Sequence, residues 1–125
     1  MEDRNTLVTS GRFQPATALV RALDAVGARV DVADSYALSP ALHSNRAERT
    51  HHVAPAAEEP LRFVDDVRAI VREREIDLIA PSFEEGFYLA RYASALGAPL
   101  LAPSFATAAA LHDKARFVEL CARLD

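Results

Sequence analysis

Thr6-Leu7-Val8-Thr9-Ser10-Gly11, followed at once by Gln14-Pro15 and a run of helically spaced apolar residues, decides the fold of this chain. The first four residues read as a strand, and Ser10-Gly11 closes it. Gln14-Pro15 opens a helix that carries Ala18, Leu19, Ala22, Leu23 and Val26 on one face, and Gly27 supplies its C-terminal stop. Arg29-Val30-Asp31-Val32-Ala33 then alternates at period two, a second strand that ends at Asp34. Strand, helix, strand in this order implies parallel strands joined by a right-handed crossover.

The same rhythm runs outward to both ends. Ser39 to Arg49 is polar and reads as a short helix and loop, and His52-Val53-Ala54 as a weak third strand stopped by Pro55. Pro60 suits the first turn of a longer helix whose apolar face holds Leu61, Val64, Val67 and Val71. Leu78-Ile79-Ala80 is a continuously apolar fourth strand, as expected where both sheet faces are covered. A helix with Phe87, Tyr88, Tyr92 and Leu96 follows and stops at Gly97; Leu100-Leu101-Ala102 repeats the buried-strand pattern before Pro103. Ser104 caps a short alanine-rich helix, and Asp113 caps a last one in which Phe117, Leu120, Cys121 and Leu124 share a face expected to be buried. The expectation is an α/β fold, a three-layer α/β/α Rossmann-like domain with a mainly parallel five-stranded sheet in the order 3-2-1-4-5. In that order the connections reverse between strands 1 and 4. Ligands bind beyond the carboxyl ends of the strands at such a reversal. Geometry thus nominates two loops, residues 10–14 and 82–85.

Composition narrows the function classes. The 125 residues suit one domain, and 14 basic against 18 acidic residues give no basic surface of the kind nucleic acid demands. Cys121 is the only cysteine, so no internal disulfide forms and a reducing, cytoplasmic setting is expected. Neither a signal-peptide core nor a membrane-spanning run of about 20 apolar residues is present. The single glycine after strand 1 lacks the dinucleotide fingerprint, which removes most support for a nicotinamide or flavin site. Ser10, Gly11 and Arg12 are still placed to hold an anion at a helix start; the bland alternative is a tight turn with an exposed arginine. Asp34 is read as a cap for the next turn. Glu84 and Glu85 open a helix, where acids are favoured on dipole grounds alone, but their place at the reversal makes them candidates for gripping a substrate amine. His51 and His52 are adjacent in a strand, point to opposite faces and do not clasp one metal; no metal site is expected.

Four stretches carry a family resemblance: Leu7-Val8-Thr9-Ser10-Gly11-Arg12, Val32-Ala33-Asp34-Ser35, Pro81-Ser82-Phe83-Glu84-Glu85-Gly86-Phe87-Tyr88-Leu89 and Leu111-His112-Asp113-Lys114-Ala115-Arg116-Phe117. In this order they resemble the N-terminal, pre-ATP-grasp domain of the ATP-grasp superfamily, most of all its carboxylate–amine ligase and carbamoyl-phosphate-synthase-like members. The resemblance implies residues 1–112 as that domain and 113–125 as the start of a linker helix into an ATP-grasp domain that this chain lacks. It implies a parent enzyme that uses ATP and Mg²⁺ to activate a carboxylate as an acyl phosphate and joins it to an amine or similar nucleophile. Lys114 is the one residue to which a nucleotide contact carries over; Ser10, Gly11, Arg12, Glu84 and Glu85 fall on the substrate side. The nucleotide clamp and its Mg²⁺-binding acids lie beyond Asp125 in the family pattern, so this piece alone is expected to bind no cofactor tightly and to be inactive. Two other classes stay open: a free-standing binding or homodimerising module without ATP chemistry, and a Rossmann-like enzyme of another kind.

Overall fold

A computed structural model describes residues 3–124. Strand β1 (Asn5–Thr9) lies at the centre of a parallel sheet, with β2 (Arg29–Asp34) on one side and β4 (Leu78–Pro81) on the other; β3 (Arg49–His52) pairs with β2, giving the order β3-β2-β1-β4. The register sets Leu7 beside Ile79 and Val8 between Ala80 and Val32. Because neighbouring residues of a strand face opposite ways, the sheet buries two separate sets of side chains.

On one face Leu7, Ala33 and Ile79 meet Val64, Val67 and Val71 of α2 (Pro60–Arg74) and Leu89 of α3 (Glu85–Arg91). On the other, Val8, Val30 and Val32 meet Ala16 and Val20 of α1 (Gln14–Ala25) and Ala41 of a single 3-10 turn (Pro40–His43). Helices therefore cover both faces. A fully buried valine or leucine in such a layer contributes about 1.5–3 kcal/mol.

The expected fifth strand is not formed as a strand. Leu100 makes one parallel bridge to Ile79, held by the Ile79 amide donating to Pro99 O and the Leu101 amide donating to Ile79 O, each at 2.8 Å. Pro99 and Pro103 leave only three residues between them, and a proline offers no N–H to a ladder. Leu101, expected inside, is 61% exposed. Two smaller differences concern boundaries. The third strand falls at Arg49–His52 rather than 52–54, although the Val53 amide still donates to Asp34 O at 3.1 Å. The helix expected to run to Leu96 ends at Arg91 and continues as a 3-10 turn (Ala93–Ala95), which still delivers Tyr92 and Leu96 to the core.

Beyond the bridge, α4 (Phe105–His112) and α5 (Lys114–Leu124) form a tail. Both expected caps are made: Ser104 Oγ accepts from the Thr107 amide at 3.2 Å, and Asp113 Oδ1 from the amides of Ala115 and Arg116 at 2.9 and 3.1 Å. The expected burial of α5 is not met. Phe117, Leu120, Cys121 and Leu124 are all exposed, because α5 packs chiefly on α4 and makes no extensive contact with the sheet or its flanking helices. Cys121 is thus a surface residue, not a core one. No helix of the described residues is long and apolar enough to cross a membrane.

Candidate functional site

The loop after β1 turns sharply. Ser10 sits in the left-handed region with φ 57°, a conformation that non-glycine residues take at a cost of order 1–3 kcal/mol and that gathers at functional sites. Gly11 is buried beneath it; a Cβ there would meet Val32 Cγ1 at 3.0 Å and Ala41 Cβ at 3.3 Å. The amides that follow are already engaged. Gly11 donates to Ala33 O at 3.4 Å, Arg12 to Asp34 Oδ2 at 2.7 Å and Phe13 to Ser10 O at 3.2 Å. An external phosphate would find the Arg12 amide occupied by the chain's own carboxylate.

Asp34, at the carboxyl end of β2, organises this corner. Arg12 Nη2 donates to its Oδ1 at 2.5 Å and Arg12 Nε to the same atom at 3.1 Å. Ser39 Oγ donates to Oδ2 at 2.7 Å, and the Tyr36 amide to Oδ1 at 3.2 Å, the turn cap expected from the sequence. Burial pushes the Asp34 carboxyl up, but the bonds from Arg12, Ser39 and the two amides outweigh it and hold the group below the ordinary aspartate value. Its hydrogen bond to Asp34 in turn keeps the Arg12 guanidinium firmly protonated. Arg12 Nη2 also donates to Ser35 Oγ at 2.5 Å, and its Cζ stands 5.8 Å from the Tyr36 ring centre.

The second loop, after β4, is tied to the first. Ser82 Oγ donates to Thr9 O at 2.8 Å, while Glu85 Oε1 accepts from Thr9 Oγ1 at 2.5 Å and the Ser82 amide at 3.0 Å. Glu85 is only 6% exposed, and its Oε2 has no partner. Glu84, next to it, is exposed. Phe13 and Phe83 stack across the two loops with ring centres 3.8 Å apart. Together these loops and residues 54–58, which follow β3, enclose a cavity of about 230 Å³.

Of the residues nominated from the sequence, Ser10, Arg12, Glu84 and Glu85 line this one cavity. Gly11 lies under it as packing. Lys114 is elsewhere: it is the first residue of α5, exposed, and not among the cavity's lining groups. The sequence reading named the loops that carry Phe13 and Phe83 without giving either ring a role, gave Asp34 no part beyond a cap, and did not name the 54–58 loop. The signal was available, since every loop at the carboxyl ends of parallel strands gathers on one edge of the sheet. A second buried acid, Asp31, serves the fold instead, accepting from His51 Nε2 and Arg74 Nε at 2.8 Å each. Burial raises its carboxyl, yet His51 and Arg74 together bring it below the usual range.

Among the described residues no group of three or more histidine, cysteine, aspartate or glutamate side chains is placed to hold a metal ion, and the amides of Gly11, Arg12 and Phe13 that precede α1 are already engaged within the chain.

No protein-family model matches the sequence, and no curated protein matches it. Solved structures do share the fold. The biotin carboxylase domain of Hydrogenobacter thermophilus 2-oxoglutarate carboxylase, in complex with MgADP and bicarbonate, matches with a TM-score of 0.72 at 19% identity, over 98% of this chain and 28% of that one. The biotin carboxylase subunit of a pyruvate carboxylase gives 0.71 at 20% identity, over 96% and 27%. The glycinamide-RNase-transformylase T of Mycobacterium tuberculosis gives 0.69 at 20%, over 95% and 34%. These are ATP-grasp enzymes, and it is their N-terminal regions that match. The chain spans about a third or less of the length of each.

Proposed function

We propose that this chain forms the N-terminal, substrate-side domain of an ATP-grasp ligase. The supporting observation is the extent of the fold match: at least 95% of this chain superposes on N-terminal regions of three such enzymes. The order of its sequence motifs points the same way. In the proposed parent, ATP and Mg²⁺ serve to activate a carboxylate as an acyl phosphate, which an amine or similar nucleophile attacks. Both cofactors are assigned to residues outside this chain, apart from a nucleotide contact at Lys114. The part left to the described residues is to bind and orient. Arg12, held by Asp34, and Glu84 and Glu85 line the substrate cavity, and the stacked Phe13–Phe83 pair forms its apolar rim.

The test is kinetic, in a protein that carries this chain as its N-terminal part. ADP should form only when both carboxylate and nucleophile are supplied. Replacing Arg12 or Glu84 by alanine should raise the KM for one organic substrate without unfolding the domain. Lys114→Ala should weaken ATP binding by about 1.5–3 kcal/mol, the worth of a charged hydrogen bond. Unchanged kinetics in all three variants would overturn the reading. The uncovered apolar face of α5 favours a second reading, a module that homodimerises without ATP chemistry. Sedimentation of the 125-residue chain as a dimer, with no ligase activity in any longer protein that contains it, would favour that one.

A further inference from the structure

Taking the cleft as the substrate side of the parent enzyme, we propose that it receives a protonated amine and not a carboxylate. Four carboxylates line the cavity, from Asp34, Glu58, Glu84 and Glu85, against the single guanidinium of Arg12. That guanidinium is already matched: Nη2 and Nε donate to Asp34, and Nη2 donates again to Ser35. An incoming anion therefore meets an arginine neutralised by its own partner and three further acids. A cation meets the reverse.

The second observation concerns hydrogen bonding and not net charge. Glu85 is 94% buried, given its 6% exposure, and one of its carboxylate oxygens has no hydrogen-bond partner while the other has two. A buried acceptor without a donor is costly, and of the buried oxygens left unpartnered among the described residues, those of Asn5, Thr6 and Glu85, only that of Glu85 belongs to a residue lining the cavity. The walls supply the rest. Phe13, Phe63, Phe83 and Tyr88 line the same cavity, and an aromatic ring attracts an ammonium group through its face. Acids and aromatic rings around about 230 Å³ make a chamber for the head of a small amine, below the roughly 300–1,000 Å³ of sites for drug-sized ligands. Arg12 on this reading is a strut: with Asp34 it ties the loop after β1 to β2, so that Phe13 stands against Phe83. The nucleophile, then, is what this domain presents, and the carboxylate is bound by other parts of the parent enzyme.

The experiment uses the ¹⁵N-labelled 125-residue chain, titrated with propylammonium chloride and, at equal ionic strength, with sodium propionate. Propylammonium should shift amide resonances of residues 10–13, 54–58 and 82–88, at least fivefold more than propionate does. Glu84→Gln, at an exposed position that leaves folding intact, should cut the ammonium response at least threefold, and Glu85→Gln should cut it further if that variant folds. Equal or larger shifts with propionate, shifts scattered over acids outside the cleft, or an unaltered response in Glu84→Gln would each overturn the amine assignment. A response to propionate alone overturns the assignment but keeps the cleft as a substrate site. A localised ammonium response beside a parent protein without ligase activity would support the amine site and overturn the ligase reading.

Discussion

The sheet with its flanking helices and the α4–α5 tail are built from similarly patterned sequence, yet they end in opposite states. Residues of β1 are buried along its whole length, and α2 buries Phe63, Val64, Val67, Ile70 and Val71. Neither α4 nor α5 buries a single residue, although Phe117, Leu120, Cys121 and Leu124 recur at helical spacing just as the valines of α2 do. Amphipathic periodicity states that a face is to be covered; it does not state by what. In α2 the cover is the sheet. In α5 it is only α4, and no residue of the helix is buried.

The contrast is best broken by truncating one large apolar residue in each region. Leu7→Ala empties a fully buried site at the centre of the sheet and should cost about 2–5 kcal/mol in urea unfolding, whereas Phe117→Ala, at 47% exposure, should cost below about 1 kcal/mol. Comparable losses at both positions would mean that α5 is integral to the folded body. Asp34→Asn comes next, at about 1–3 kcal/mol, since it strips the charge from a buried acceptor of six hydrogen bonds from five donor atoms while Arg12, 40% exposed, is partly rescued by water.

The same residue makes the stability of the body depend on pH. The Asp31 and Asp34 carboxyls are both held below their ordinary value when folded. Their contribution is therefore fully present above the unfolded value of about 3.9 and is lost as pH falls through the folded values. Stability should be level from pH 7 to about 5 and decline below about 4, and the decline should be shallower in Asp34→Asn. An equally steep decline in the variant would sever the pair from acid sensitivity.

Two small effects sharpen the comparison further. Ser10→Gly relieves a left-handed serine and, after glycine's larger entropy loss, should add about 0.5–1 kcal/mol. Lys114→Ala in the 125-residue chain should be neutral or add about 0.3–1 kcal/mol, because it removes a cation from the start of α5. Marked destabilisation would show Lys114 to be part of the fold rather than of a ligand site.

Much of the body was legible because short apolar runs and helix signals are local. Gly27 and Gly97, which end α1 and the Tyr92–Leu96 segment, take φ values of 80° and 84°, as stop signals should. The caps at Ser104 and Asp113 were equally plain. What stayed hidden depends on long-range partners. The Leu100–Ala102 run looks like Leu78–Ile79–Ala80 in composition, and only the flanking prolines and its place at the sheet edge distinguish them. At the site, the reversal of strand order located the two main loops. That Asp34 reaches Arg12 across 22 residues, or that Phe13 stacks on Phe83, is a matter of packing that no spacing rule encodes.

The carboxylate of Asp34 takes both the backbone amide and the guanidinium of Arg12, so this corner of the fold is self-liganded. A loop that carries its own anion is set before any small molecule arrives, and it pays no ordering entropy on encounter. It is also closed to phosphate for as long as that acid remains. Loss of Asp34 would leave Arg12 and its amide vacant for an outside guest.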